Sequence, residues 1–137
     1  MPKLSTYAIT CALAVAASST AQAQEGDAAR GEVVAKRCIA CHTFDEGGAN
    51  KVGPNLFGVM SRGIAGLEGF KYSDALVAAA EAQGQWTEAQ LMDYLADPTG
   101  WTRATIDDAK ARSKMTFKLA DEQQRRDVIA YMTSLDN

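Results

Sequence analysis

The chain has 137 residues, 47% of them apolar, with 14 basic and 17 acidic side chains and a formal net charge of −3 at pH 7. That length suits a single domain, and the mild acidity argues against nucleic acid as a partner, since phosphate binding draws on a surplus of bases. No internal repeat, low-complexity run or second domain boundary interrupts it.

The first residues have the pattern of a secretory signal: Lys3, an apolar run from Ile9 to Ala17, and the small-x-small site Ala21-Gln22-Ala23. The run is too short for a membrane span, which takes about 20 apolar residues, so no stable membrane insertion is expected. Residues 1–23 are therefore expected to be removed, and Cys11 with them, because it lacks the context of a lipoprotein site. Residues 24–137 remain as one domain that begins near Gln24. A helix is predicted over Asp27 to Arg37, with an acid at its start and bases at its end, as the helix dipole favours. Val33, Val34 and Ala35 would form its apolar face, and Gly31 would let another helix approach.

The next five residues carry the chemistry. Cys38-Ile39-Ala40-Cys41-His42 is the attachment signature of a c-type haem: two thiols positioned for two vinyl groups, then an imidazole for the iron. His42 is the only histidine. A thioredoxin-like pair would need a strand before Cys38, and a structural zinc site would need four ligands; neither is present in the pattern. With both remaining cysteines bound to the haem, no disulfide is available.

Thr43 to Gly69, rich in Gly, Asn and Pro, is predicted to be loop. Ser73-Asp74 opens a helix over Ala75 to Ala82 that Gly84 ends. Thr87-Glu88 opens another, with Leu91, Tyr94 and Leu95 on one stripe and Pro98 beyond its end. A short extra helix is expected around Ile106 to Arg112, and Asp121 opens the last, which carries Val128, Ile129, Met132 and Leu135. Nothing reads as a strand. The expected class is all-α, four to five short helices around one cofactor.

The iron needs a ligand opposite His42, and methionine is the usual partner where a haem shuttles electrons at high potential. Met92 and Met132 sit on helices as core filler. Met115 stands alone among Lys110, Arg112, Lys114 and Lys118, with no evident core role, and leads over Met60 or a lysine, which stay open.

The order of Cys38-Ile39-Ala40-Cys41-His42, Gly53-Pro54-Asn55-Leu56, Trp86, Leu91-Met92-Asp93-Tyr94-Leu95, Lys114-Met115-Thr116-Phe117 and Ile129-Ala130-Tyr131 resembles class I cytochromes c, most of all bacterial cytochrome c2. The similarity spans essentially the whole mature chain and implies the cytochrome c fold with one covalently attached haem c. It implies that Pro54 offers its carbonyl to the second nitrogen of His42, fixing the ring and raising its basicity. It implies that Arg62, Tyr72 and Trp86 hold the haem propionates, that Tyr94 lines the pocket on the Met115 side, and that Phe117 covers the exposed haem edge. Gly31 and Tyr131 would lie where the first and last helices cross. The chain departs from the family at Val34, where an aromatic is usual, at Leu76, where an amide is common, and over Trp101 to Ala111, an insertion before Met115.

The resemblance implies a soluble periplasmic one-electron carrier, not an enzyme. It would run from a quinol:cytochrome c oxidoreductase of the bc1 type to a photosynthetic reaction centre or a terminal oxidase, as a monomer. Bases at Lys36-Arg37, Lys51, Lys110-Arg112-Lys114 and Lys118 flank the haem motif and the Met115 segment, a pattern for salt-sensitive docking on acidic surfaces. The competing readings are a haem peroxidase or a diatomic-gas binder in which the sixth ligand is labile; the lack of a spare histidine weighs against the first.

Overall fold

The computed structural model describes residues 25–136; the signal segment expected over 1–23 lies outside the described residues. Among the described residues there are six helices and no strand. The class is all-α as expected, with one helix more than the four to five predicted.

Helix α1 (Ala28–Ala35) starts where Asp27 accepts a hydrogen bond from the Arg30 amide at 2.8 Å. It ends two residues before the predicted Arg37, and tighter turns carry the chain on through Cys41. Gly31 and Ala35 are buried and Val34 packs against the core, as expected, whereas Val33 is 62% exposed and is corrected to the solvent side. The cause is the partner: the crossing is so close that only the face without bulk fits.

Helix α2 (Val59–Arg62) lies inside the segment predicted as loop. One turn between Gly58 (φ 72°) and Gly63 (φ 89°) is too short to leave a periodic trace in sequence. Helix α3 (Asp74–Gln83) is capped by the Ser73 hydroxyl and ends at Gly84, close to expectation. Helix α4 (Glu88–Ala96) has a full capping box, Thr87 and Gln90 each bonding the other's backbone N–H.

Helix α5 (Pro98–Ile106) replaces the helix expected over Ile106 to Arg112. Pro98 lies beyond the end of α4, as expected. The same Asp97-Pro98 pair also starts the next helix, Asp97 capping through Gly100 N and Pro98 filling the first position, where its missing N–H costs nothing. Asp107 (φ 51°) closes α5, and residues 108–120 follow without a helix. Helix α6 (Glu122–Ser134) begins at Asp121, whose carboxylate accepts from Gln124 N at 2.8 Å.

Helices α1 and α6 cross with almost no space between backbones. A Cβ on Gly31 would lie 1.9 Å from the Asp127 carbonyl oxygen and 2.7 Å from Tyr131 Cβ. Gly26, just before α1, meets the Arg126 carbonyl in the same way. The crossing is locked by Asp127, only 3% exposed, which accepts from Asp27 N at 2.8 Å, Arg30 Nε and Nη2 at 2.9 Å, and Gln123 Nε2 at 2.9 Å. The Arg30 guanidinium holds the Asp127 carboxyl well below the usual range, at about 2. Phe44 packs its ring on Tyr131 at 5.5 Å beside the crossing. Ala35, Phe44, Val59, Ile64, Trp86, Leu91, Tyr94, Leu119, Val128, Ile129 and Met132 form the core, and Met60, Met92, Leu76 and Val34 pack against it.

Candidate metal centre

The turn after α1 presents Cys38, Cys41 and His42 together: Cys38 N donates to Ala35 O, and both Cys41 N and His42 N donate back to Cys38 O. Both thiols are unpaired, Cys38 half-buried and Cys41 exposed. Burial pushes the Cys38 thiol up, nearby Arg37 opposes that, and Cys41 adds to it. His42 Nδ1 lies 2.7 Å from the Pro54 carbonyl oxygen. That carbonyl can only accept, so Nδ1 carries the hydrogen and Nε2 is left with its lone pair free for a metal. Burial lowers the imidazole's pKa, the Pro54 bond opposes this, and the charges of Arg62 and Lys51 lower it further. A cradle surrounds the ring: a Cβ on Gly53 would lie 2.3 Å from His42 Cε1, so only glycine lets the chain pass there.

Asn55 holds this loop in shape. It is buried, its side-chain amide donates to Thr43 Oγ1 and to the carbonyls of Thr43 and Asp45, and its oxygen accepts from Phe57 N. The Arg62 guanidinium donates from Nη1 and Nη2 to the Phe57 and Asn55 carbonyls. Its Nε is buried without a hydrogen-bond partner among the described residues. A buried donor in that state costs about 1–3 kcal/mol, and a haem propionate would satisfy it. The chain thus fits the group: two thiols, an oriented imidazole and an orphaned cationic donor.

The remaining predicted residues fall in two groups. Tyr72 accepts at its phenol oxygen from Leu67 N at 3.3 Å. Trp86 and Tyr94 are buried and adjacent, ring centroids 5.1 Å apart, and Trp101 of α5 completes a triangle at 5.1 Å from Trp86 and 5.4 Å from Tyr94. Burial raises the Tyr94 phenol's pKa, and the bond to Ser113 partly offsets that, with the two oxygens 3.3 Å apart. Met115 is half-buried and packs on the core, its N–H donating to Ser113 Oγ at 3.1 Å. Phe117 is 38% exposed and lies under the Arg37 guanidinium, 5.3 Å from its ring centroid, so it reaches back to the residue just before the haem motif.

Three contributors escaped the sequence: Asn55, Trp101 and Ser113. Asn55 lies in the Gly53-Pro54-Asn55-Leu56 motif but was given no role. Trp101 falls in the segment read as an insertion; the Asp97-Pro98 helix start is the signal that places it on the pocket side. Ser113 had no local signal.

Two free thiols and an oriented imidazole inside an all-helical shell fit the attachment of a c-type haem, which defines the class as a c-type haem protein. Comparison with known proteins agrees. The profile described as Cytochrome c matches residues 28–136. Cytochrome c-550 of Novispirillum itersonii is 53% identical over 110 residues, covering 80% of this chain and 99% of that protein. Cytochrome c2 of Rhodospirillum rubrum is 49% identical over 122 residues, 89% of this chain and 90% of the other. The solved structure of cytochrome c2 from Rhodospirillum centenum superposes with a TM-score of 0.77 at 42% identity, over 82% of this chain and all of that one. The chain belongs to the cytochrome c family, with its fold and its one covalently attached c-type haem.

Proposed function

We propose that this protein is a periplasmic one-electron carrier of the cytochrome c2 type, with haem c bonded to Cys38 and Cys41 and its iron held between His42 and Met115. The observation that carries this is the His42 ring, fixed through Nδ1 by the Pro54 carbonyl at 2.7 Å directly after the two free thiols. Bound there, the haem supplies a one-electron Fe(III)/Fe(II) couple. The chain does the rest. Pro54 holds the imidazole in one orientation, and Met115 would be the second protein donor to the iron, so that two fixed protein ligands would limit reorganisation. Arg62, Tyr72 and Trp86 take the propionates, with the orphaned Arg62 Nε as the clearest vacant donor. Tyr94 walls the Met115 side, and Phe117, with Arg37 over its ring, shields the exposed edge.

Residues 1–23 direct export and are cleaved, leaving 24–137 as the working domain. Among the described residues no helix is long and apolar enough to cross a membrane. Lys36, Arg37, Lys51, Lys110, Arg112 and Lys114 are all exposed and steer the carrier, as a monomer, onto acidic faces of a bc1-type complex and of a reaction centre or terminal oxidase. Lys118 differs from these because Asp97 already takes its ammonium at 2.9 Å.

A spectroscopic redox titration of the haem-loaded protein beside a Met115→Ala variant tests the ligand pair. A high potential and a sulfur-to-iron charge-transfer band, both lost in the variant, are expected. A low potential that the substitution leaves alone refutes the assignment, and rapid carbon monoxide binding by the reduced wild type would move the gas-binding or peroxidase alternatives forward.

A further inference from the structure

Helix α5 touches both the pocket wall and the segment that carries Met115. On the wall side, Trp101 packs edge-on against Tyr94 (89°) and tilted against Trp86 (37°). On the other side three bonds run to the segment: Arg103 Nε donates to Ala111 O at 2.8 Å, Ser113 N donates to Thr99 Oγ1 at 3.4 Å, and Lys118 pairs with Asp97, the helix's cap, at 2.9 Å. The segment has no helix of its own to hold its shape. Across the opening a further hydrogen bond, Lys114 Nζ to Lys71 O at 2.8 Å, ties it to the Tyr72 side.

A thioether is a neutral, weak donor, so its occupancy of the iron depends on the effective concentration at which the segment presents it. We propose that α5 is the strut that positions Met115, with Trp101 seating the helix on the Trp86–Tyr94 wall and Arg103 holding the segment against it. The inference rests on Met115 being the sixth ligand. Trp101 and Arg103 are positioning residues: neither needs to touch the iron. Removing either leaves the same ligands in place but lets the segment open more often.

The test titrates imidazole into the ferric, haem-loaded protein, following the sulfur-to-iron charge-transfer band, and measures the reduction potential and global unfolding in parallel. Arg103→Gln removes one charge-assisted hydrogen bond from the closed form alone, so imidazole binds about tenfold more tightly. Trp101→Leu shifts imidazole affinity in the same direction, while Trp101→Phe, which keeps a ring on the wall, stays near wild type. Both Arg103→Gln and Trp101→Leu lower the potential, because a loosened sulfur favours Fe(II) less. The double variant gains less than the product of the two, since both act through one helix. Should Trp101→Leu fail to fold, Arg103→Gln still decides the matter. Unchanged imidazole affinity and potential, even with reduced global stability, overturn the strut. A wild-type protein without the band, or a Met115→Ala protein that retains it, overturns the ligand assignment and the strut with it.

Discussion

Substituting Gly31 by alanine should destabilise this protein, although the same change in an ordinary helix interior stabilises by about 1 kcal/mol. The new Cβ would sit 1.9 Å from the Asp127 carbonyl oxygen, whereas real Cβ contacts essentially never fall under 3.0 Å. Helix α6 must therefore retreat by about 1.1 Å, the difference between those two distances. The obstacle is backbone, with Tyr131 Cβ behind it at 2.7 Å, so no side-chain rotation relieves the clash. The retreat also stretches the bonds from Asp127 to Arg30 and Asp27 and the Phe44–Tyr131 contact. Overpacking against backbone falls at the upper end of the usual range, about 3 kcal/mol. After the gain in helix propensity, a net loss of about 2 kcal/mol remains, or about 8 °C in Tm for a domain of this size. Thermal unfolding of the haem-loaded pair, followed by far-ultraviolet circular dichroism, reads it directly. A Tm equal to or above wild type would refute the close crossing.

Asp127→Asn should cost about 2 kcal/mol near neutral pH, because the folded carboxyl titrates at about 2 against an ordinary value of 3.8. The sign follows from the depressed pKa: the advantage over the variant is fully present above about pH 4 and fades as pH falls toward 2. Denaturant midpoints at pH 7 and at pH 2.5 that differ from the variant's by the same amount would contradict it. Gly53→Ala should displace the His42 ring, since the added Cβ would press within 2.3 Å of Cε1. The expected outcome is a lower ratio of attached haem to polypeptide on co-expression with the attachment machinery, measured by pyridine haemochrome absorbance, and an unchanged ratio would count against the cradle.

What the sequence revealed and what it hid divide along the range of the forces involved. The haem motif is legible because covalent attachment fixes the spacing of Cys38, Cys41 and His42 whatever surrounds them. Ser73, Thr87 and Asp121 mark helix starts because a cap bonds an amide two or three residues on. Pro98 misled for a related reason: a proline stops one helix and opens another with the same chemistry, and only the packing of Trp101 shows the second to be stable. On α1 only Val33 departs from its expected side: bulk rather than hydropathy decides a crossing this tight, and Gly31 is what fits it. Asp127 stands among Arg125 and Arg126 like any solvated acid; its partner Arg30 arrives from 97 residues away. The candidate site follows the same rule. His42, Pro54 and Met115 came from motifs, whereas Trp101 and Ser113 take their places through contacts with Trp86 and Tyr94 that no local pattern encodes.

Asp97 ends α4, starts α5 and receives Lys118 from the far side of the Met115 segment, all at one extended residue (φ −154°, ψ 90°). Two helices that share a single junction residue have no tether whose length could drift. An insertion there would unhinge the aromatic wall from the methionine strand at a stroke, whereas residues added between Asp107 and Lys110 would only lengthen an exposed loop. The corner at Asp97 acts as a keystone, and the alignment of the aromatic wall with the methionine strand hangs on one pair of backbone angles.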